Sequence, residues 1–143
     1  MGLSRALEIS ASGIRAEGKN LEIISSNIAN MNATRTLDGG AYRRRIAVYQ
    51  EKPITFEQAL DRAAAKLAGG GVEIKEVVED QSPLQKVYDP THPDADNLGF
   101  VQMPNVNLSK EMVDMIYGSK LYEANITVYN STKQMMRETL QLQ

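Results

Sequence analysis

The 143-residue sequence has no cysteine and no tryptophan, a single histidine, two phenylalanines and six tyrosines. The missing cysteine removes thiol nucleophiles, thiolate metal ligands and disulfides together, and is compatible with a reducing or an oxidising compartment. With so few large aromatics, a core has to be built from aliphatic side chains and methionine. Charge is also nearly absent as a signal: 16 basic and 18 acidic residues leave a net charge of −2. That balance sets up no field to draw in nucleic acid or an anionic membrane surface. No apolar run approaches the length of a membrane span, so no membrane insertion is expected. Arg5, Glu8, Arg15 and Glu17 interrupt the first twenty residues, which argues against the apolar core of a cleaved signal peptide. The length leaves room for one domain or two small lobes.

What the sequence has instead is a seven-residue repeat at each end. Leu108, Met115, Tyr122, Tyr129 and Met136 recur every seven residues. Placing them at the d positions of a heptad assigns the a positions to Met112, Ser119, Ile126, Lys133 and Leu140. Such a helix, about 33 residues long, would extend roughly 50 Å and needs a partner along its length. Leu7, Ile14, Leu21 and Ile28 repeat in the same way, with Leu3, Ser10, Glu17, Ile24 and Met31 at the companion position. Gly13 and Gly18 each lower helix propensity there by about 1 kcal/mol, so this second helix is marginal alone in water. Val113, Ile116, Leu121 and Val128 widen the C-terminal stripe beyond a and d, as expected for a helix contacted on more than one side. The expected seam residues are Leu7, Ile14, Leu21, Ile28, Met115, Tyr122, Ile126 and Tyr129. Asn27, Asn30 and Asn125 are candidate polar contacts that fix register, with capping or surface placement as the alternative.

Between the repeats the pattern changes. Asp38-Gly39-Gly40 is a turn signal, and residues 42–50 carry β-branched and aromatic residues with Ile46 and Val48 on one face, which predicts a strand. Arg43, Arg44 and Arg45 there read as a solvated strand end rather than a phosphate site. Thr55-Phe56-Glu57-Gln58 has the form of a capping box, predicting a short helix over 55–68 closed by Gly69-Gly70-Gly71. Residues 72–78 predict a second strand pairing with the first. The proline-rich stretch 81–103 predicts an extended loop with turns. The expected organisation is an α+β chain: an N-terminal coiled-coil helix over 1–34, a β-containing middle lobe over 35–107, and a C-terminal coiled-coil helix over 108–143. Each terminal segment balances its own charges, so the net −2 belongs to the middle.

Few residues offer chemistry. His92 lies among Asp89, Asp94 and Asp96, which raises a metal reading, but Asp89-Pro90 and His92-Pro93 are ordinary turn dipeptides. Asp94, Asp96 and Gly99 imitate the start of a calcium loop, yet Leu98 and Asn105 stand where oxygen ligands are required. Gly69-Gly70-Gly71 lacks the following Lys-Ser/Thr and helix of a phosphate loop. Nucleophilic catalysis has no Gly-x-Ser-x-Gly elbow to rest on. These patterns predict a protein that is not an enzyme and needs no cofactor or metal. The competing reading is a coiled-coil adaptor or chaperone-like module that binds one partner and does not polymerise, and it requires terminal helices that are stable alone.

Three stretches carry a resemblance. Ser26-Asn27-Ile28-Ala29-Asn30 followed by Gly40-Ala41-Tyr42-Arg43 resembles the helix end and following strand of the bacterial flagellar axial proteins of rod and hook. Residues 88–96 with 99–106 (YDPTHPDAD, then GFVQMPNV), and Glu111-Met112-Val113 through Tyr122-Glu123-Ala124-Asn125 to Lys133-Gln134-Met135-Met136, are similar to the proximal-rod members of that family. The likeness spans the chain except residues 53–71, an insert relative to the family. It implies terminal helices paired as a coiled coil in the rod, with the middle lobe outside. It further implies a structural subunit that self-assembles helically into the periplasmic drive shaft transmitting torque. The implied partners are other copies of the chain, neighbouring rod proteins, the adaptor joining rod to export gate, and the flagellar type III export apparatus, which would export the chain without a cleaved signal.

Overall fold

In a computed structural model of the chain, residues 2–37, 39–53 and 70–141 are described. The helix expected over 55–68 lies outside them. The elements in chain order are helix α1 (Gly2–Ala29), strands β1 (Arg45–Glu51), β2 (Val72–Glu79), β3 (Gln85–Tyr88) and β4 (Phe100–Met103), and helix α2 (Leu108–Gln141). Two long helices and two small two-stranded sheets make an α+β fold.

The helix ends follow from local chemistry. At the end of α1 the Asn30 N–H and its side-chain Nδ2 both donate to the Ser26 carbonyl, at 3.1 and 2.8 Å, satisfying a terminal acceptor. The Met31 N–H then bonds Ile28 O and the Ala33 N–H bonds Asn30 O, and the helix is over. At the start of α2, Asn107 Oδ1 accepts from the Lys110 N–H at 3.1 Å, which is an N-cap on the third residue of the helix.

The two sheets are both antiparallel. The β1–β2 pair is bracketed by Asp80 N–H to Arg44 O at one end and Lys52 N–H to Gly71 O at the other, so chain numbers fall on one strand as they rise on its partner. The β3–β4 pair sets Val87 opposite Val101 and Tyr88 opposite Phe100. The Tyr88 and Phe100 rings meet edge to face with centroids 5.3 Å apart. This hairpin lies within the proline-rich stretch expected to be a loop; the prolines occupy its connection and flanks, leaving two four-residue runs free to pair. Gly99 closes the connection with φ +80°, where a Cβ would stand 2.9 Å from the Tyr88 ring.

The chain divides into two compact units, one made of Met1–Lys19, Val48–Glu76 and Gly118–Gln143, the other of Asn20–Ala47 and Val77–Tyr117. In the first, Ser10, Ser12 and Ala16 of α1 and Thr132 of α2 are buried. In the second, Ile23, Ile24, Tyr42, Val101 and Val106 form the apolar core around the buried Asn27 and Glu111. No helix among the described residues is long and apolar enough to cross a membrane.

Candidate assembly surface

The second unit is organised around a polar junction of three segments: the end of α1, the entry to β1 and the first turn of α2. Asn27 is 1% exposed and Glu111 0%. Asn27 Nδ2 donates to Arg45 O and to Glu111 Oε2, both at 2.9 Å. Its Oδ1 accepts from the Arg45 N–H at 2.9 Å and from Tyr42 OH at 3.0 Å. That is the full complement of two donors and two acceptor sites for one amide. Glu111 Oε1 accepts from Arg44 Nε, and Arg44 Nη2 reaches Asp114 Oδ2 at 3.1 Å. Arg44 is therefore not part of a solvated strand end: its side chain is 13% exposed and its charge is matched inside the unit. The run of three arginines masked an alternation in which Tyr42, Arg44, Ile46 and Val48 share a face. Arg43 instead donates to the Asp80 and Ser82 carbonyls, and Arg45 lies over the Tyr42 ring at 5.6 Å.

In the first unit the helices pack through small residues. A Cβ on Gly13 would stand 2.9 to 3.0 Å from the Asn125 amide, and one on Gly18 3.7 Å from the Tyr122 ring, so the chain directions here are opposite. Ser12 Oγ donates to Ile9 O at 2.6 Å and accepts from the Val72 N–H at 3.0 Å, tying α1 to the start of β2. Gly71, with φ +92°, lies so close that a Cβ would overlap Ser12 Oγ. Tyr49 OH donates to Glu17 at 3.1 Å; partial burial first, and the Glu17 carboxylate second, push its phenol above the usual range. A groove of about 360 Å³ is lined by Ser12, Arg15, Ala16, Lys52, Val72 and Glu73, and the Glu73 carboxylate accepts from Gln50 Nε2 at 2.6 Å.

The expected seam residues Leu7, Ile14, Leu21, Ile28, Met115, Tyr122, Ile126 and Tyr129 are all half-buried. Of the register candidates, Asn27 joins the junction, Asn125 sits against Gly13, and Asn30 caps its own helix. The row of α2 that accompanies Met115, Tyr122 and Tyr129 inward differs from the one assigned by hydrophobicity. It is Glu111, Gly118, Asn125 and Thr132, one residue earlier, of which Glu111, Gly118 and Thr132 are buried and Asn125 half-buried. Met112 is 51% exposed and Leu140 67%. Val113, Ile116, Tyr117, Val128 and Met135 are also exposed, so α2 presents a second, apolar row to solvent.

Around His92 the carboxylates serve turns. Asp89 Oδ1 accepts from the Thr91 N–H and hydroxyl, and Asp96 Oδ1 from the Leu98 and Phe100 N–H groups. Asp94 accepts from Thr34 Oγ1 at 2.8 Å and pairs with Arg35 at 3.3 Å, while His92 Nδ1 accepts from the Asp94 N–H. The acids near the histidine are thus turned to other partners.

The arrangement is one of packing rather than reaction, and the comparisons agree. The family profile described as "Flagella basal body rod protein" matches residues 7–35, covering most of α1 and its cap. The profile "Flagellar basal body rod FlgEFG protein C-terminal" matches residues 98–142, from β4 through α2. A flagellar basal-body rod protein FlgC of Borreliella burgdorferi is 41% identical over 98% of this chain and 97% of its own length. The FlgC proteins of Bacillus subtilis and Salmonella typhimurium are each 39% identical, over 96% and 99% of this chain and 95% and 98% of theirs. A family of structural subunits and not of enzymes, the flagellar basal-body rod proteins in their FlgC branch, is the one to which this chain belongs.

Proposed function

We propose that this chain is a building block of the flagellar rod, assembling helically with its own copies and with neighbouring rod proteins into the shaft that crosses the periplasm and transmits torque. Export unfolded through the flagellar type III apparatus, without a cleaved signal, and contact with the adaptor between rod and export gate belong to the same reading. In the assembled state α1 and α2 pair as a coiled coil, with Leu7, Ile14, Leu21 and Ile28 facing Met115, Tyr122, Ile126 and Tyr129. The middle lobe over 35–107 lies outside the helices of 1–34 and 108–143.

The observation that carries this reading is the outward apolar row of α2. Met112, Val113, Ile116 and Tyr117 are each more than half exposed, and completing their burial contributes about 4–7 kcal/mol together. Association of two bodies loses roughly 4–15 kcal/mol of rigid-body freedom. One such contact barely holds a pair, whereas in a lattice each subunit both buries its own row against one neighbour and covers the row of another. Neighbours that cover the exposed faces then stabilise the terminal helices further, which links subunit stability to assembly.

The test is a surface change that leaves the fold alone. Met112→Glu with Ile116→Glu alters exposed positions, so circular dichroism and thermal unfolding should stay close to those of the unaltered chain. Recovery of the subunit in isolated basal bodies should fall at least tenfold, and swimming should be lost. Incorporation at the normal level would overturn the reading. Deleting residues 1–30 or 109–143 should abolish incorporation outright. A chain that folds stably alone and binds one helical partner without entering rods would indicate the adaptor.

A further inference from the structure

The two heptad repeats leave a question that apolar residues do not answer. Leu7, Ile14, Leu21 and Ile28 recur every seven residues, and so do Met115, Tyr122, Tyr129 and Met136. Sliding one helix along the other by seven residues, about 10 Å, therefore sets apolar against apolar again. We propose that the Asn27–Arg44–Glu111 cluster is the register lock of this helix pair, selecting one alignment among those the heptads allow. The inference goes beyond rod assembly and does not rest on it, because register is a property of the single chain.

Unpaired groups decide between the alignments. Arg45 gives both its backbone N–H and its carbonyl to Asn27, so β1, and Arg44 with it, moves with α1. A slide of α2 by one heptad therefore takes Glu111 away from both of its donors at once. In one direction Asn27 meets Gly118, which has no side chain to accept its amide. In the other it meets the level of Pro104, while Glu111 moves toward Asn20. In either direction a carboxylate that is 0% exposed in the observed alignment loses the Arg44 cation, and its charge is left unpaired or must be re-solvated. Each member of the inward row of α2, Glu111, Gly118, Asn125 and Thr132, is chemically distinct, whereas the apolar row beside it is repetitive. The distinct row carries the alignment and the repetitive row carries the adhesion.

A native chain without cysteine allows a clean readout by introduced pairs. In the full chain, mild oxidation should crosslink Gly13→Cys with Asn125→Cys and should not crosslink Gly13→Cys with Thr132→Cys. Deleting one heptad, residues 118–124, then opposes the two determinants. It leaves Asn27, Arg44, Glu111 and Asp114 in place and brings residue 132 to the seat of residue 125. A lock at Glu111 predicts that crosslinking transfers to the 13/132 pair with at least a tenfold preference. Crosslinking retained at 13/125, or found at neither pair, overturns the proposal. In the same deletion, Asn27→Leu with Arg44→Met and Glu111→Met removes the lock while keeping side-chain bulk. The preference should then fall below about twofold if this chain remains helical, and an undiminished preference in a helical chain also overturns the proposal. Should it lose its helical signal, the first deletion decides alone.

Discussion

Glu111 and Asp89 are both carboxylates occupied by hydrogen bonds, and they are held in opposite ways. Glu111 is wholly buried, and its donors come from Asn27 and Arg44, 84 and 67 positions away in the chain. Asp89 accepts at the surface from the backbone and hydroxyl of Thr91, two residues on. The first site exists only when three distant segments have met; the second forms within a single turn. Loss of a donor at Glu111 leaves a buried charge exposed to a low dielectric, where water cannot replace what was lost. Loss of a donor at Asp89 is made good by solvent. The difference is one of consequence rather than bond strength.

The largest expected effect is at Glu111 itself. Glu111→Ala leaves Arg44 and Asn27 short of their acceptor inside the second unit, and we expect a loss of about 3–5 kcal/mol in chemical unfolding of the full chain. Replacing both charges, Arg44→Met with Glu111→Met, should recover most of that loss, since matched apolar side chains carry no desolvation penalty. A double variant no more stable than the single would show that the ion pair itself, rather than its matching, holds the junction.

The same contrast explains what was legible in the sequence. The presence of two long helices was, because a heptad repeat is local; the bonds at Asn107 and Asn30 that end them also span no more than four positions. The strands over 45–51 and 72–79 were legible from alternation. The junction was not, because nothing near Glu111 in the chain announces Arg44 or Asn27. The inward row of α2 was missed for a different physical reason. Hydrophobicity assigns the most apolar rows to the partner helix, but α2 has apolar side chains on two faces, and the face toward α1 is the smaller and more polar one. Gly13 looked like a defect in the N-terminal repeat; it is the space Asn125 requires.

Gly13 is the next largest test. Alanine there gains about 1 kcal/mol of helix propensity and places a methyl 2.9 to 3.0 Å from the Asn125 amide, an overlap costing about 1–3 kcal/mol. Gly13→Ala should therefore be neutral to destabilising by about 2 kcal/mol. In an Asn125→Ala background the same change should be stabilising by about 1 kcal/mol. Additive effects in the double-mutant cycle would mean that the two residues do not touch.

A smaller effect is expected at Tyr42, whose hydroxyl is one of two donors to Asn27 Oδ1. Tyr42→Phe keeps the ring beside Arg45 and leaves the Arg45 N–H in place, so the loss should be about 1 kcal/mol. A loss as large as that of Glu111→Ala would place the hydroxyl, rather than the charge pair, at the centre of the junction.

The smallest effect belongs to the local turns, and it carries a sign. The Thr91 hydroxyl, and after it the Thr91 N–H, hold the Asp89 carboxyl below its usual range; the Ser82 N–H, ahead of its hydroxyl, does the same for Asp80. A folded-state value below the unfolded one means that each turn is fully supported above the unfolded value near 3.9, and that support disappears as pH falls through the lower, folded value. Both groups are at the surface, where water and salt screen them, so the global stability should scarcely change. The amide resonance of Thr91 should nevertheless titrate with a midpoint below the ordinary aspartate range, and Thr91→Ala should raise that midpoint by removing the hydroxyl while leaving the N–H. A midpoint unmoved by Thr91→Ala would mean that the backbone alone holds Asp89, and the turn would then be as indifferent to its neighbour's side chain as Glu111 is dependent on its own.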